Sequence, residues 1–234
     1  MRKINTSVIL PTYDESGHII ELVEAIKDQL SKERISYEII IVDDDSPDKT
    51  GVLAQKYFAK SADVRVIIRK RDRGLSAAIR CGIELAVGEV IVVMDTDFNH
   101  SPVLIPKLVA KCKRYDFVIG SRYITGGGME NKLREKLSYW FNIILRVILF
   151  SPVHDNLSGF FAIRREQLEK VNYDQIFNGY GEYFIRLIYQ AKKNGATFAE
   201  IPCFYKNRIY GYSKSRFFSM FRDYMKTALS QRLS

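Results

Sequence analysis

Asp95, Thr96 and Asp97 put two carboxylates one residue apart at the end of the apolar run Val90-Ile91-Val92-Val93-Met94. A run so rich in β-branched residues reads as a buried parallel strand, and the carboxyl end of such a strand is where open α/β sheets place their ligands. If strand alternation continues through the pair, both side chains face one side. Their oxygens then converge on one hard divalent cation, Mg²⁺ or Mn²⁺, whose remaining ligands are phosphate oxygens and water. The same residues also suit a strand-end turn in which Asp97 caps the helix following Pro102. Pro11-Thr12-Tyr13-Asp14-Glu15 follows a first strand and Asp43-Asp44-Asp45 a second, so carboxylates and an aromatic ring crowd the edge that holds Asp95. A carboxylate accepts the ring N–H groups of a nucleobase, and Tyr13 can pack on its face. No G-x-G-x-x-G follows the first strand and no G-x-x-x-x-G-K-[ST] occurs, which weighs against dinucleotide oxidoreductases and P-loop enzymes.

The elements that must hold these residues alternate. Residues 7–10, 37–42, 64–68, 90–94 and 117–120 read as strands. Between them lie a helix with the stripe Ile19, Ile20, Leu22, Val23, Ile26 and Leu30, a turn and helix start at Ser46-Pro47-Asp48, and helices over 76–87 and 102–113. This order predicts a doubly wound, mostly parallel sheet with helices on both faces. The chain changes character after residue 120. It continues with Gly126-Gly127-Gly128, a long apolar helix over 132–150, a short strand over 160–163, a helix over 182–193 and a basic, aromatic tail. The expectation is one domain over 1–234, with a nucleotide-binding half (1–120) and an acceptor half (121–234).

Composition bounds the rest. With 234 residues, 47% hydrophobic and 27% charged, the chain can bury a substantial core. Cys81, Cys112 and Cys203 are odd in number and widely spaced, which predicts reduced, packed thiols in a cytosolic compartment. The first strand begins too early for a signal peptide, and no run reaches the ~20 apolar residues that span a bilayer. The formal net charge of +9, from 36 Lys and Arg against 27 Asp and Glu, favours an anionic partner such as nucleotide phosphates or an acidic membrane surface.

Seven segments in order resemble family 2 glycosyltransferases of the GT-A (Rossmann-like) fold, of the dolichol- or polyprenyl-phosphate mannose synthase type. They are Pro11-Thr12-Tyr13-Asp14-Glu15, Val42-Asp43-Asp44-Asp45-Ser46-Pro47-Asp48, Arg73-Gly74-Leu75-Ser76-Ala77-Ala78, Asp95-Thr96-Asp97-Phe98-Asn99-His100-Ser101-Pro102, Gly120-Ser121-Arg122-Tyr123, Ser158-Gly159-Phe160-Phe161 and Arg208-x-x-Gly211-x-Ser213-Lys214. The resemblance implies that Pro11, Tyr13, Glu15, Ile41 and Asp43 hold the nucleobase and ribose of the donor. Asp95, Thr96 and Asp97 would meet ribose, metal and diphosphate, and Asn99 stands where the family has a Gln metal ligand. Arg208 and Lys214 would lie in a lid over the diphosphate. Arg122 and Arg134, with Ser158, would cradle the acceptor phosphate, so that Asp97, Arg122 and Arg134 carry the transfer. The implied reaction is metal-dependent and inverting. It moves a hexose, mannose from GDP-mannose, to dolichyl or polyprenyl phosphate at the cytoplasmic face of a membrane, with anchoring that is peripheral or supplied by a partner protein.

The chain also departs from the family. Where many synthases carry Lys, Gly181 stands, followed by Glu182, either a general base for a hydroxyl acceptor or a helix-start Glu favoured by the macrodipole. The helix over 132–150, with Leu133, Leu137, Phe141, Ile144, Leu145 and Ile148 on one stripe and Trp140, Ile143, Val147 and Leu149 widening it, fits an interfacial helix or a buried one. The tail Phe217, Phe218, Phe221, Tyr224, Met225 and Leu229, with its interleaved cations, fits membrane contact better. Two other readings stay open. One is the same fold moving another sugar, such as from a UDP-sugar, to a saccharide hydroxyl in cell-surface glycan synthesis. The other is a non-catalytic basic module for membranes or nucleic acid, which leaves the acids at three strand ends without a purpose.

Overall fold

The computed structural model describes residues 4–206 and 217–233. In chain order its elements are β1 (Thr6–Thr12), α1 (Ile19–Lys32), β2 (Tyr37–Asp43), α2 (Thr50–Tyr57), β3 (Val64–Ile68), α3 (Leu75–Leu85), β4 (Val90–Val93), α4 (Ile105–Lys111), β5 (Phe117–Ser121), β6 (Gly128–Met129), α5 (Lys132–Leu149), β7 (Phe161–Arg164), α6 (Arg165–Leu168), α7 (Tyr173–Ile176), α8 (Glu182–Lys193), β8 (Phe198–Pro202), β9 (Phe204–Tyr205) and α9 (Phe217–Leu233). The expected helix over 102–113 is shorter. A 3₁₀ turn over Pro102–Leu104 precedes α4, whose first turn carries Pro106. A proline lacks the N–H that a longer helix would need there.

Seven strands form one sheet in the order β3-β2-β1-β4-β7-β5-β8, and β6 pairs with β9 apart from it. Neighbours run parallel except around β7, which is antiparallel to both β4 and β5. Thus β7, from beyond residue 120, sits between strands that precede it. The carboxyl ends of β1, β2, β4, β5 and β8 and the amino end of β7 all meet at one edge.

Alternation decides which side chains each face buries. Val8, Leu10, Ile39, Ile41 and Val92 pack beneath α1 and α4, while Ile9, Ile40, Val42, Ile91 and Val93 pack against α3 and α8. A one-residue slip of β1 would exchange these sets, and each such side chain contributes about 1.5–3 kcal/mol by burial, so the register is firmly held. α1 buries Ile19, Leu22, Val23, Ile26 and Leu30, the stripe its spacing predicts. A third cluster joins α5, α8 and α9 through Leu145, Leu149, Ile185, Tyr189, Tyr224 and Ala228. Among the described residues no helix is long and apolar enough to cross a membrane.

Candidate active site

A cleft of about 1010 Å³ opens along the edge where the strand ends meet. Pro11, Tyr13, Glu15, Asp95, Thr96, Asp97, Asn99, Arg122, Arg134 and Ser158 line it together. Ile41 does not: it is fully buried within the sheet core. Asp43 is also buried, and its carboxylate accepts hydrogen bonds from the Ser46 N–H (3.1 Å), the Ser46 hydroxyl and the Thr12 hydroxyl (3.4 Å), tying the β2 loop to β1. Arg208 and Lys214 lie outside the described residues.

At one end of the cleft the loops after β1 and β2 are stitched together. Asp14 N–H donates to Ser46 Oγ (3.1 Å), Glu15 N–H to Thr50 Oγ1 (2.9 Å) and Ser16 N–H to Asp48 Oδ2 (2.9 Å). Asp48 also accepts from Thr50 N–H at the start of α2, and although burial opposes its charge, these bonds hold its carboxyl below the usual carboxylate value. Asp14 and Asp45 adopt positive φ, 62° and 53°, a conformation that aspartate tolerates better than most residues. Tyr13 is left half-exposed at the cleft mouth. Asp44 pairs with Arg69 at 2.9 Å and accepts Gly74 N–H at 2.6 Å, which turns the start of α3 toward the cleft.

The acidic ledge is a turn rather than a continued strand. β4 ends at Val93, and Phe98 takes φ of 59°, a conformation unusual for a bulky residue and a mark of backbone held under constraint. Asp97 Oδ1 accepts Asn99 N–H (3.1 Å) and its Oδ2 accepts the Asn99 amide (2.7 Å), so the turn closes on itself and Asp97 caps no helix. Asp97 is buried, whereas the Asp95 side chain is 45% exposed. Among the described residues no three His, Cys, Asp or Glu side chains form a ready-made metal cage. Two carboxylates and one carboxamide facing a common cleft are nonetheless an all-oxygen set of the kind hard cations take, with positions left for substrate oxygens. The residues therefore fit Mg²⁺ or Mn²⁺.

Behind the ledge, a buried network leads to Arg122. Asp95 N–H donates to His100 Nδ1 (2.9 Å), which places the ring proton on Nε2, facing Tyr205 Oη at 2.7 Å. Tyr205 in turn donates to the Ser158 carbonyl (2.8 Å). Burial holds the His100 imidazole below its ordinary pKa, with Asp95 and Asp97 pulling weakly the other way. The Arg122 guanidinium lies 4.8 Å from the Tyr205 ring and 5.1 Å from that of Tyr123. Asp155 grips its Nε and Nη2 at 2.7 Å each and also accepts its backbone N–H. Burial alone would disfavour the charge, but Asp155 keeps the guanidinium pKa above its usual value. The Nη1 end remains, near Met129 Sδ at 4.0 Å.

Arg134 reaches the cleft from the first turn of α5, which Asn131 caps by accepting Arg134 N–H at 3.0 Å. The Ser158 hydroxyl donates to the Gly120 carbonyl, so it braces the β5 and β7 ends. Glu182 opens α8 and accepts Tyr180 N–H (2.7 Å), the geometry of a helix-start Glu rather than of a base facing the cleft. A Cβ at Gly181 would come within 2.0 Å of Tyr224 Oη, so the α9 tyrosine occupies the space a larger residue would need. Sequence reasoning missed Asp155, His100 and Tyr205 as parts of this site, and also Tyr183 and Tyr224. Only His100 lay within a recognised segment.

Residues 7–171 match the family described as Glycosyl transferase family 2. A dolichol-phosphate mannosyltransferase from Pyrococcus furiosus is 42% identical over 178 residues, covering 74% of this chain and 50% of the relative. A polyprenol monophosphomannose synthase from Mycolicibacterium smegmatis is 34% identical over 216 residues, covering 89% of this chain and 80% of the relative. The chain thus spans half the length of the first relative and four fifths of the second. Among solved structures, glucosyl-3-phosphoglycerate synthase from Mycobacterium tuberculosis in complex with Mn²⁺, uridine diphosphate and phosphoglyceric acid superposes with a TM-score of 0.73 at 20% identity, over 98% of this chain and 78% of that one. This last likeness is one of fold.

Proposed function

The chain belongs to glycosyltransferase family 2 and is a glycosyltransferase, and from that premise we propose that it transfers mannose from GDP-mannose to a dolichyl or polyprenyl phosphate with inversion. One observation carries the reading: a single cleft holds the acidic ledge beside the stitched β1 and β2 loops, and also Arg122 and Arg134. The first group suits a nucleoside diphosphate sugar with its cation, and the second suits a phosphate acceptor. The names of the two curated relatives point to the same acceptor class.

The chemistry follows from charge. A phosphate monoester has a second pKa of about 6, so the acceptor arrives as an anion and needs little help from a base. Its oxygen forms a bond to the anomeric carbon while the bond from that carbon to the nucleoside diphosphate breaks, and the electron pair leaves with the diphosphate. Attack opposite the leaving group inverts the centre. Arg122 and Arg134 orient the acceptor oxygens, while Pro11, Tyr13 and Glu15 seat the nucleoside. Ile41 and Asp43 act from beneath by fixing the β2 end. Asp95 and Asp97, with Asn99 beside them, would hold the divalent cation, which when bound offsets the charge developing on the departing diphosphate. Arg208 and Lys214 complete the assignment as diphosphate contacts.

A saccharide hydroxyl acceptor would need a base at the attacking oxygen, and Glu182, the sequence's candidate, is committed to the Tyr180 N–H. That favours the phosphate acceptor over the hydroxyl reading. The exposed α5 residues Leu133, Leu137, Trp140, Ile144 and Val147 flank the cleft residue Arg134 and would rest on the membrane that supplies the lipid.

The test offers radiolabelled GDP- and UDP-sugars with and without polyprenyl phosphate and EDTA. Label should enter the organic phase only from GDP-mannose with the lipid phosphate present, and EDTA should abolish this. Label passing from a UDP-sugar into a water-soluble glycan would replace the proposal with the hydroxyl-acceptor reading.

A further inference from the structure

A second cavity, of about 710 Å³, opens between α7, α8 and α9 and shares no lining residue with the active-site cleft. Four cationic side chains line it, Lys170, Arg186, Lys193 and Lys226, and no carboxylate does. They come from separate places in the chain. Lys170 follows α6, Arg186 and Lys193 lie two turns apart on one face of α8, and Lys226 projects from α9 beside Thr227 and Ser230.

Arg186 is the telling member. It is 9% exposed, yet among the described residues it forms no ion pair. Its Nε donates to the Ile176 carbonyl at 3.0 Å and its Nη2 to the Asn178 carbonyl, while Nη1 has only a long 3.4 Å contact to Thr227 Oγ1. Burial disfavours its charge. Glu182, one turn earlier, offsets this in part, but the Glu182 carboxylate is engaged with the Tyr180 N–H. A buried guanidinium without a carboxylate is costly unless an anion compensates it. Lys193 has its ammonium 5.4 Å over the Tyr189 ring, and none of the three lysines is in an ion pair among the described residues.

We propose that this cavity is a second ligand site, distinct from the transfer site, that binds a phosphate-bearing anion. Phosphate suits it better than a carboxylate, because a tetrahedral group presents acceptor oxygens in several directions to a lining that supplies a guanidinium, ammonium groups and the Thr227 and Ser230 hydroxyls. The cavity is of small-molecule size and exceeds a bare phosphate, leaving room for the group that carries it. With Nε and Nη2 held on their carbonyls, Nη1 is the part of the guanidinium left for a ligand. Those carbonyls belong to Ile176 and Asn178, a few residues before Tyr180 and Gly181 of the active-site cleft.

Calorimetric titration with inorganic pyrophosphate, in EDTA and at low ionic strength, tests the site. The comparison is between the unmodified chain, Lys193→Gln/Lys226→Gln, and the control Lys56→Gln/Lys60→Gln, which removes the same charge from exposed positions near α2. The Lys193/Lys226 variant should bind about tenfold or more weakly, and the control should bind as the unmodified chain does. A parallel arm replaces pyrophosphate with phosphatidylcholine vesicles containing phosphatidic acid. Selective loss in the vesicle arm alone identifies a lipid headgroup, and selective loss in the pyrophosphate arm alone identifies a free phosphate compound. Equal affinity for all three proteins in both arms, or equal loss in the control, overturns the proposal. The readout is binding in the absence of divalent cation and donor, so its failure and a failure of mannosyl transfer are separate results.

Discussion

Asp155 holds Arg122 through Nε and Nη2, and both partners are withdrawn from water, so removing either leaves a buried charge with nothing opposite it. Arg122→Ala should therefore lower stability by about 3–5 kcal/mol in urea unfolding, quite apart from any effect on transfer. Arg122→Met with Asp155→Asn removes both charges and keeps one acceptor oxygen for one of the two backbone N–H groups, of residues 122 and 157, that Asp155 serves, so it should regain a substantial part of that loss. A double variant as unstable as the single one would contradict the pairing. In the restored background, loss of transfer to lipid phosphate with donor binding retained would isolate the acceptor role. The ledge calls for a different measurement. Asp97→Asn matches the side chain in size and keeps an acceptor for the Asn99 N–H but removes a hard anionic donor, so the enhancement of GDP binding by Mn²⁺ should fall by more than about tenfold in titrations with and without the ion. Unchanged enhancement would remove Asp97 from the cation site. Asp95 and Asp97 were legible because they follow a strongly apolar strand, and Arg122 because it stands in a segment that resembles the family. Asp155 was not, since its partner lies 33 residues away, and the His100–Tyr205 contact spans 105. Such contacts exist only once the sheet order is known.

Strands β1, β2, β4 and β5 were readable for the same reason: apolar, β-branched runs bounded by turn residues. The antiparallel entry of β7 between β4 and β5 was not, because nothing local to residues 161–164 states a direction. The two-residue strands β6 and β9 are fixed only by each other. α2 offered a clear start at Asp48 but little apolar periodicity, with Val52 and Leu53 exposed. α5 shows how one pattern can serve two environments. Leu145 and Leu149 are buried against α8 and α9, while Leu133, Leu137, Trp140, Ile144 and Val147 remain exposed along the other side. The expected single stripe is thus divided between packing and an open surface. Since Trp140 is 64% and Val147 66% exposed, Trp140→Glu/Val147→Glu should change folding stability by no more than about 0.5 kcal/mol per site. If this side of α5 meets lipid, the same variant should lose association with polyprenyl-phosphate vesicles in a flotation assay. Undiminished flotation would assign membrane contact elsewhere.

The net charge of +9 pointed to anionic partners, and the fold distributes that excess unevenly. Arg122 is neutralised by Asp155, whereas Lys170, Lys193 and Lys226 gather on the second cavity. The core is equally selective about which acids it tolerates. Cys112 and Cys203 are buried, and burial pushes each thiol up from an ordinary value of 9.0 to about 12. Burial raises Tyr183 and Tyr205 in the same sense. Between pH 9 and 12 the folded chain therefore keeps protons that the unfolded chain releases. The stability from these groups is complete below pH 9 and declines as pH rises toward 12, by about 1.4 kcal/mol per pH unit for each thiol. Urea midpoints measured at intervals from about pH 8 to about pH 11 should fall progressively above 9, and Cys112→Ala/Cys203→Ala should flatten the thiol part of the slope. Below that range both thiols should resist a disulfide reagent in the folded protein, leaving Cys81, the partly exposed one, to react. A flat profile in the unmodified chain, or rapid labelling of all three cysteines without unfolding, would mean that the sheet core admits the thiolate and that the packing of β8 and α4 is looser than described.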